Sequence, residues 1–187
     1  MEGNEQLAVI IPMLKNVGAR ITPQQLEDST PCASFTVTGV LEHMTGLASG
    51  FAPAFRGEAP PVNDPVAGAA GGDLIARFQH AMDDLLDAVQ QPGALERTID
   101  TPFGPMPGAT FSRLVSFDGL IHGWDLAIAT KQEWDPPANI VAEVDAFARE
   151  AIAPEMRDGD TFAPEVAVAS DTNPLLRLVA FSGRAIR

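Results

Sequence analysis

Cysteine and lysine are scarce in this chain. A single cysteine, Cys32, stands among 187 residues, so no internal disulfide can form. That argues against a disulfide-stapled secreted domain and for a reduced, cytoplasmic setting. Lys15 and Lys131 are the only lysines, and 12 Lys and Arg face 25 Asp and Glu, for a net charge of −13. Nucleic acid and anionic membrane surfaces both require basic clusters, so neither is an expected partner. The negative charge reads as a solubility device. No apolar run approaches the roughly 18 residues of a membrane span. The acidic start, Met1-Glu2-Gly3-Asn4-Glu5, lacks the basic segment that opens a signal peptide.

What remains is ordinary for a globular protein. Hydrophobic residues make up 45% of the chain, and at this length folding buries about 70% of the unfolded chain's surface. Sixteen Gly and sixteen Pro punctuate a series of helical patterns. Leu7, Ile10, Ile11, Leu14 and Val17 recur at helical spacing, with Gly18 placed as a C-cap. Thr36 is positioned to cap a second helix, to about Phe55, whose stripe is Val37, Val40, Leu41, Met44, Leu47 and Phe51. Residues 57–73 are nearly devoid of large apolar side chains and read as a long connection. Asp73 caps a third helix bearing Leu74, Ile75, Phe78, Met82, Leu85, Leu86 and Val89. The segment RTIDTPFGPMPGAT reads as a loop or small hairpin. A fourth helix is expected over about 109–130, with Phe111, Leu114, Val115, Ile121 and Trp124 facing in. A fifth starts at Pro136-Pro137 and stops at Pro154. A short final helix covers LLRLVAF.

The pattern predicts an all-α protein: a four-helix bundle over residues 1–160, with a C-terminal extension over 161–187 that adds helices and packs on it. A connection as long as 57–73 allows the second and third helices to lie parallel.

The polar residues on the inner faces are the unusual ones. Asp118 and His122 are four apart and share one face of the fourth helix. His43 is in line with Val40 and Leu47 on the second. Two imidazoles and a carboxylate would then meet inside the bundle, where an uncompensated charge is costly. One reading is a divalent metal site with open positions, compatible with Zn, Ni, Fe or Mn. The plainer reading is a carboxylate–imidazolium pair between Asp118 and His122. Asp125 either orients a ligand histidine or caps a neighbouring backbone group. Trp124 is read as packing, Cys32 as a structural or incidental thiol, and His80 as a surface residue.

Two of these stretches, with a third near the end, carry a family resemblance. TPCASFTVTGVLEHM resembles the Thr-Pro-Cys, aromatic, Leu-x-x-His signature of the DinB-like, mycothiol-dependent maleylpyruvate isomerase N-terminal superfamily. DGLIHGWDLAIATKQ is similar to its His-Gly-Trp-Asp-Leu-Ala motif. NPLLRLVAFSGR is similar to the closing segment of an actinobacterial metal-binding subfamily. The resemblance implies up-down-down-up connectivity and a divalent ion held by His43, Asp118 and His122. Ala33 and Phe35 stand where the family often has Pro and Trp, and Asp118 where the isomerase has Glu. The isomerase's substrate-binding C-terminal domain is expected to be absent or much reduced. Membership implies a thiol-dependent transferase or isomerase acting with a small-molecule thiol such as mycothiol on an electrophilic substrate. The alternative is a non-catalytic metal- or ligand-binding stress-response module. A homodimer is expected by the same analogy, with LLRLVAF docking on its own bundle or on a partner's.

Overall fold

The computed structural model describes residues 1–59, 73–157 and 163–186. Most of the 57–73 connection and the expected boundary at 160/161 lie outside them. The described chain is mostly helical, with one small antiparallel sheet.

Helix α1 (Gly3–Gly18) opens with a reciprocal cap between Glu2 and Glu5. It buries Leu7, Ile10, Ile11, Leu14 and Val17, as its spacing predicts. Gly18 does not cap the helix, because it lies inside it and Ala19 is the right-handed cap residue. What Gly18 supplies is room: a Cβ there would fall 2.8 Å from the Phe78 ring.

Helix α2 (Val37–Arg56) starts where Thr36 accepts the Gly39 amide and ends at Gly57, whose φ of 77° is left-handed. Its inner face is Val37, Val40, Leu41, Met44, Ala48, Ala52 and Phe55. Leu47 and Phe51 are only partly buried. Helix α3 (Leu74–Val89) is capped by Asp73, which accepts the Ile75 amide at 3.0 Å. Phe78, Met82, Leu85 and Val89 are its core positions, while Leu74, Ile75 and Leu86 sit at the margin.

The segment after α3 is a hairpin, not a plain loop. Strands β1 (Thr98–Thr101) and β2 (Gly104–Pro107) pair antiparallel, Thr98 opposite Pro107 and Thr101 opposite Gly104. They anchor the chain through the buried Ile99.

Helix α4 (Gly108–Thr130) is buried on nearly every side, from Val115 to Ala127. It packs against α1, α2, α5 (Ala138–Ala151) and α6 (Pro174–Phe181). Leu114, expected inside, is only partly buried. Neighbouring contacts fix the relative senses. Gly3 lies against Ser112, Ile10 against Gly119, and Gln132 donates to Val17 O, so α1 and α4 run alike. Lys15 pairs with Asp83 and Gly18 touches Phe78, so α3 opposes α1. Phe55 meets Phe111 and His43 meets Asp118, so α2 opposes α4. The final helix α6 docks on α4 and α5 of its own chain. Among the described residues no helix is long and apolar enough to cross a membrane.

Candidate metal centre

The opposed senses of α2 and α4 bring His43 level with Asp118 and His122. His43 Nε2 lies 3.2 Å from Asp118 Oδ1, and His122 Nε2 lies 3.5 Å from the same oxygen. One ligand atom from each of the three residues falls within 4.8 Å of the others. Ligands about 2.1 Å from a tetrahedral ion stand roughly 3.4 Å apart. Two of the three edges already meet that spacing, so the donor set fits a divalent ion, and these three residues could hold one.

Both imidazoles are oriented from outside the cluster. His122 is 5% exposed, and its Nδ1 is 3.0 Å from Asp125 Oδ2. A carboxylate there keeps a proton on Nδ1, so Nε2 is the atom that could bind an ion. Asp125 is wholly buried and is held in turn by Arg184, whose Nη2 donates at 2.9 Å. The two readings of Asp125 thus resolve to orienting His122. The Phe35 ring stacks on His43 at 5.3 Å between centroids and meets His122 edge-on at 5.9 Å.

The loop that presents Phe35 is set by its own side chains. The Thr30 hydroxyl donates to Phe35 O at 2.7 Å and accepts the Cys32 amide at 3.2 Å. A single bridge between Ser29 and Thr36 closes the loop ahead of α2. The triad opens into a cavity of about 390 Å³, walled by Cys32, Ser34, Phe35, Phe117 and Arg184. The Cys32 thiol is half-buried on that wall and is not in the ligand cluster. His80 is exposed, as its position between the apolar rows predicts.

Arg184 was not singled out from the sequence. It enters through Gly183, whose φ of 90° and close approach to Ala163 no larger residue tolerates. It lies within the NPLLRLVAFSGR segment, which signals a docked helix but assigns no partner to the arginine.

Electrostatics tie His43 to Asp118. The hydrogen bond to Asp118 raises the His43 pKa above its ordinary 6.5, against the effect of burial. Burial alone would push Asp118 up, but His122, His43 and Arg184 together hold it below its ordinary 3.8. A raised histidine stabilises the fold fully below its unfolded pKa, and the contribution fades as pH rises through the folded one. A lowered carboxylate contributes fully above its unfolded pKa and loses this as pH falls through the folded one. In the metal-free chain the pair therefore stabilises most between pH 3.8 and 6.5 and less on either side. Melting temperatures of chelator-treated wild type minus those of Asp118→Asn should trace that plateau, and a difference flat with pH would contradict it. Metal affinity should run the other way on the alkaline side, rising with pH as His43 loses its proton.

The mycothiol maleylpyruvate isomerase N-terminal domain model matches residues 11–127, a span that contains His43, Asp118 and His122. Two uncharacterized proteins of Mycobacterium tuberculosis, from strains CDC 1551 / Oshkosh and ATCC 25618 / H37Rv, are each 34% identical over 170 residues. The alignment covers 90% of this chain and 90% of each relative. No solved structure matches the chain.

Proposed function

The chain belongs to the mycothiol maleylpyruvate isomerase N-terminal domain family, and from that premise we propose that it is a divalent-metal-binding protein that activates a low-molecular-weight thiol. The helix senses support a DinB-like bundle of α1 to α4, connected up-down-down-up. On this reading residues 1–160 form the bundle and the remainder is an extension that completes its site. The observation that carries the proposal is the convergence of His43 Nε2, His122 Nε2 and Asp118 Oδ1 beside an open cavity.

In this reading His43, Asp118 and His122 are the metal ligands. A divalent ion bound there would lower the pKa of a thiol, giving a thiolate near neutral pH. The protein's own groups do the rest. Asp125 and Arg184 keep the His122 lone pair aimed at the site. Phe35 shields the imidazoles from bulk water. The cavity admits the thiol, mycothiol in this reading, together with an electrophile. The thiolate forms a carbon–sulfur bond, and either a leaving group departs, which is transfer, or the sulfur is later expelled after a double bond has turned, which is isomerisation. A homodimer belongs to this proposal on family grounds.

One observation favours a second reading, a non-catalytic metal- or ligand-binding stress-response module. Asp118 pairs with His43 and Asp125 with Arg184, so the same network can serve stability. The two readings part in one experiment. Mycothiol consumption against monobromobimane or chlorodinitrobenzene is measured with metal-loaded and chelator-treated protein. Turnover above the uncatalysed rate that chelation removes supports the enzyme. Metal-dependent melting with no turnover supports the module and overturns the enzyme.

A further inference from the structure

The hairpin after α3 leaves one edge open, and proline fixes which. Thr98 stands opposite Pro107, Ile99 opposite Met106 and Asp100 opposite Pro105. Pro105 and Pro107 have no N–H to donate, so in an antiparallel ladder they take the positions that point away from the partner strand. Ile99 and Met106 are then the pair that exchange bonds. That phase agrees with the Gly108 N–H, which donates to Arg97 O at 2.7 Å. The outer edge of β2 has therefore lost its donors. The outer edge of β1 keeps them, in the N–H and C=O groups of Thr98 and Asp100. Among the described residues no hydrogen bond is made to these groups, and both residues are exposed. An unpaired strand edge is a template for another strand, and proline is one means of blunting it. Here only one of the two edges is blunted that way.

The open edge borders a cleft. Space of about 500 Å³ lies between β1 and the end of α2, lined by Thr98, Asp100, Gly50, Phe51 and Ala54. A Cβ on Gly50 would meet nothing within 4 Å, so the α2 wall leaves room for a second backbone. Side chains of an added strand alternate between its two faces. One set falls over Gly50 and Ala54, where small apolar groups fit. The other stands beside Thr98 and Asp100, in water.

Charge selects that second set. Asp100 has no ion pair among the described residues. Glu58, also in the lining, is held by Arg56 at 3.0 Å. Arg97 has no acidic partner either, but it is drawn back from the edge. Its Nη1 donates to Pro92 O at 3.5 Å, and its Nε lies 2.7 Å from where a Cβ on Gly57 would stand. The free carboxylate on the edge itself is Asp100, and the whole chain carries a net charge of −13. Both favour a cationic partner. A Lys or Arg directly across from Asp100 makes an opposite-charge cross-strand pair.

We propose that the β1 edge binds an extended basic peptide as an added antiparallel strand. Its basic side chains stand beside Asp100 and Thr98, and its small apolar ones lie over α2. The site is separate from the metal centre and does not depend on it.

The test titrates the full chain with dye-labelled Lys-Val-Lys-Val-Lys-Val, followed by fluorescence anisotropy. Two controls are titrated beside it. Glu-Val-Glu-Val-Glu-Val reverses the charge. The basic peptide with backbone N-methyl groups on its lysines keeps the charge and loses the donors that face the edge. Binding of the basic peptide should saturate, and either control should need roughly tenfold more. Thr98→Pro removes an outward donor from β1 and no ladder bond, so circular dichroism should show the native helices while peptide binding falls roughly tenfold. Asp100→Asn should weaken the basic peptide severalfold and flatten its salt dependence. Unsaturable binding of the basic peptide overturns the site. Equal binding of the N-methylated peptide, or a folded Thr98→Pro protein that binds as wild type does, overturns strand addition. Equal or tighter binding of the acidic peptide overturns the basic class. Self-association of the wild type in sedimentation that Thr98→Pro abolishes would assign the edge to a second copy and overturn the peptide.

Discussion

His122→Ala is expected to abolish metal retention. His122 supplies one of two imidazoles in a three-residue donor set, and its orientation is fixed before any ion arrives, through Nδ1 and Asp125. Loss of an outer-shell partner typically costs 10–100-fold in metal affinity, and loss of a ligand itself should exceed that. The variant should come off purification without ion and show no thermal shift on adding Zn, Ni, Fe or Mn. His122 is nearly buried, so truncation also leaves a small cavity. Circular dichroism must therefore show that the helices persist. His43→Ala is the companion, since His43 is a third exposed and its removal disturbs packing less. Full metal affinity in both variants would remove the triad from consideration.

Asp125→Ala should be the most destabilising change in the network. Asp125 is fully buried between His122 and Arg184, and the Arg184 side chain is only 15% exposed. Removing one member of a buried pair leaves the other charge uncompensated, at a cost of roughly 3–5 kcal/mol. For a domain of this size each kcal/mol lowers the melting temperature by about 2–4 °C. The chelator-treated variant should therefore melt about 6–20 °C below wild type. Asp125→Asn keeps an oxygen acceptor for Arg184 and should lose less. Metal titration separates the two roles of Asp125, because its orienting effect on His122 predicts weaker metal binding even where the fold survives. A melting temperature within a degree or two of wild type would mean that Arg184 reaches another partner when Asp125 is gone.

Much of this arrangement was legible in the chain. The stripes of α1 and α3 are periodic because each of these helices buries one face and leaves the other wet. The spacing of Asp118 and His122 alone placed them side by side, and the phase of His43 against Val40 and Leu47 turned it inward. Helix α4 was harder to read. Packed by four other helices, it buries residues all around, so periodicity gives no inner face, and Leu114 was assigned inward when it lies at the margin. Gly18 reads as helix punctuation, yet it makes room for the Phe78 ring, as Gly123 does for Trp134. Arg184 was out of reach for the same reason. Its partner Asp125 lies 59 residues away along the chain, and no local pattern encodes so long a pairing. The division of labour between Asp118 and Asp125 was legible only in part: the four-residue spacing to His122 set Asp118 apart, while the pairing of Asp125 with Arg184 is tertiary.

The central claim is that His43, Asp118 and His122 together bind one divalent ion. Elemental analysis of the purified wild-type protein, with anomalous diffraction at the absorption edge of whatever metal is found, tests it most directly. The expected result is one ion per chain, with its anomalous peak between the two Nε2 atoms and Asp118 Oδ1. A metal-free protein that shows no thermal shift with Zn, Ni, Fe or Mn, or a peak elsewhere in the chain, would contradict it.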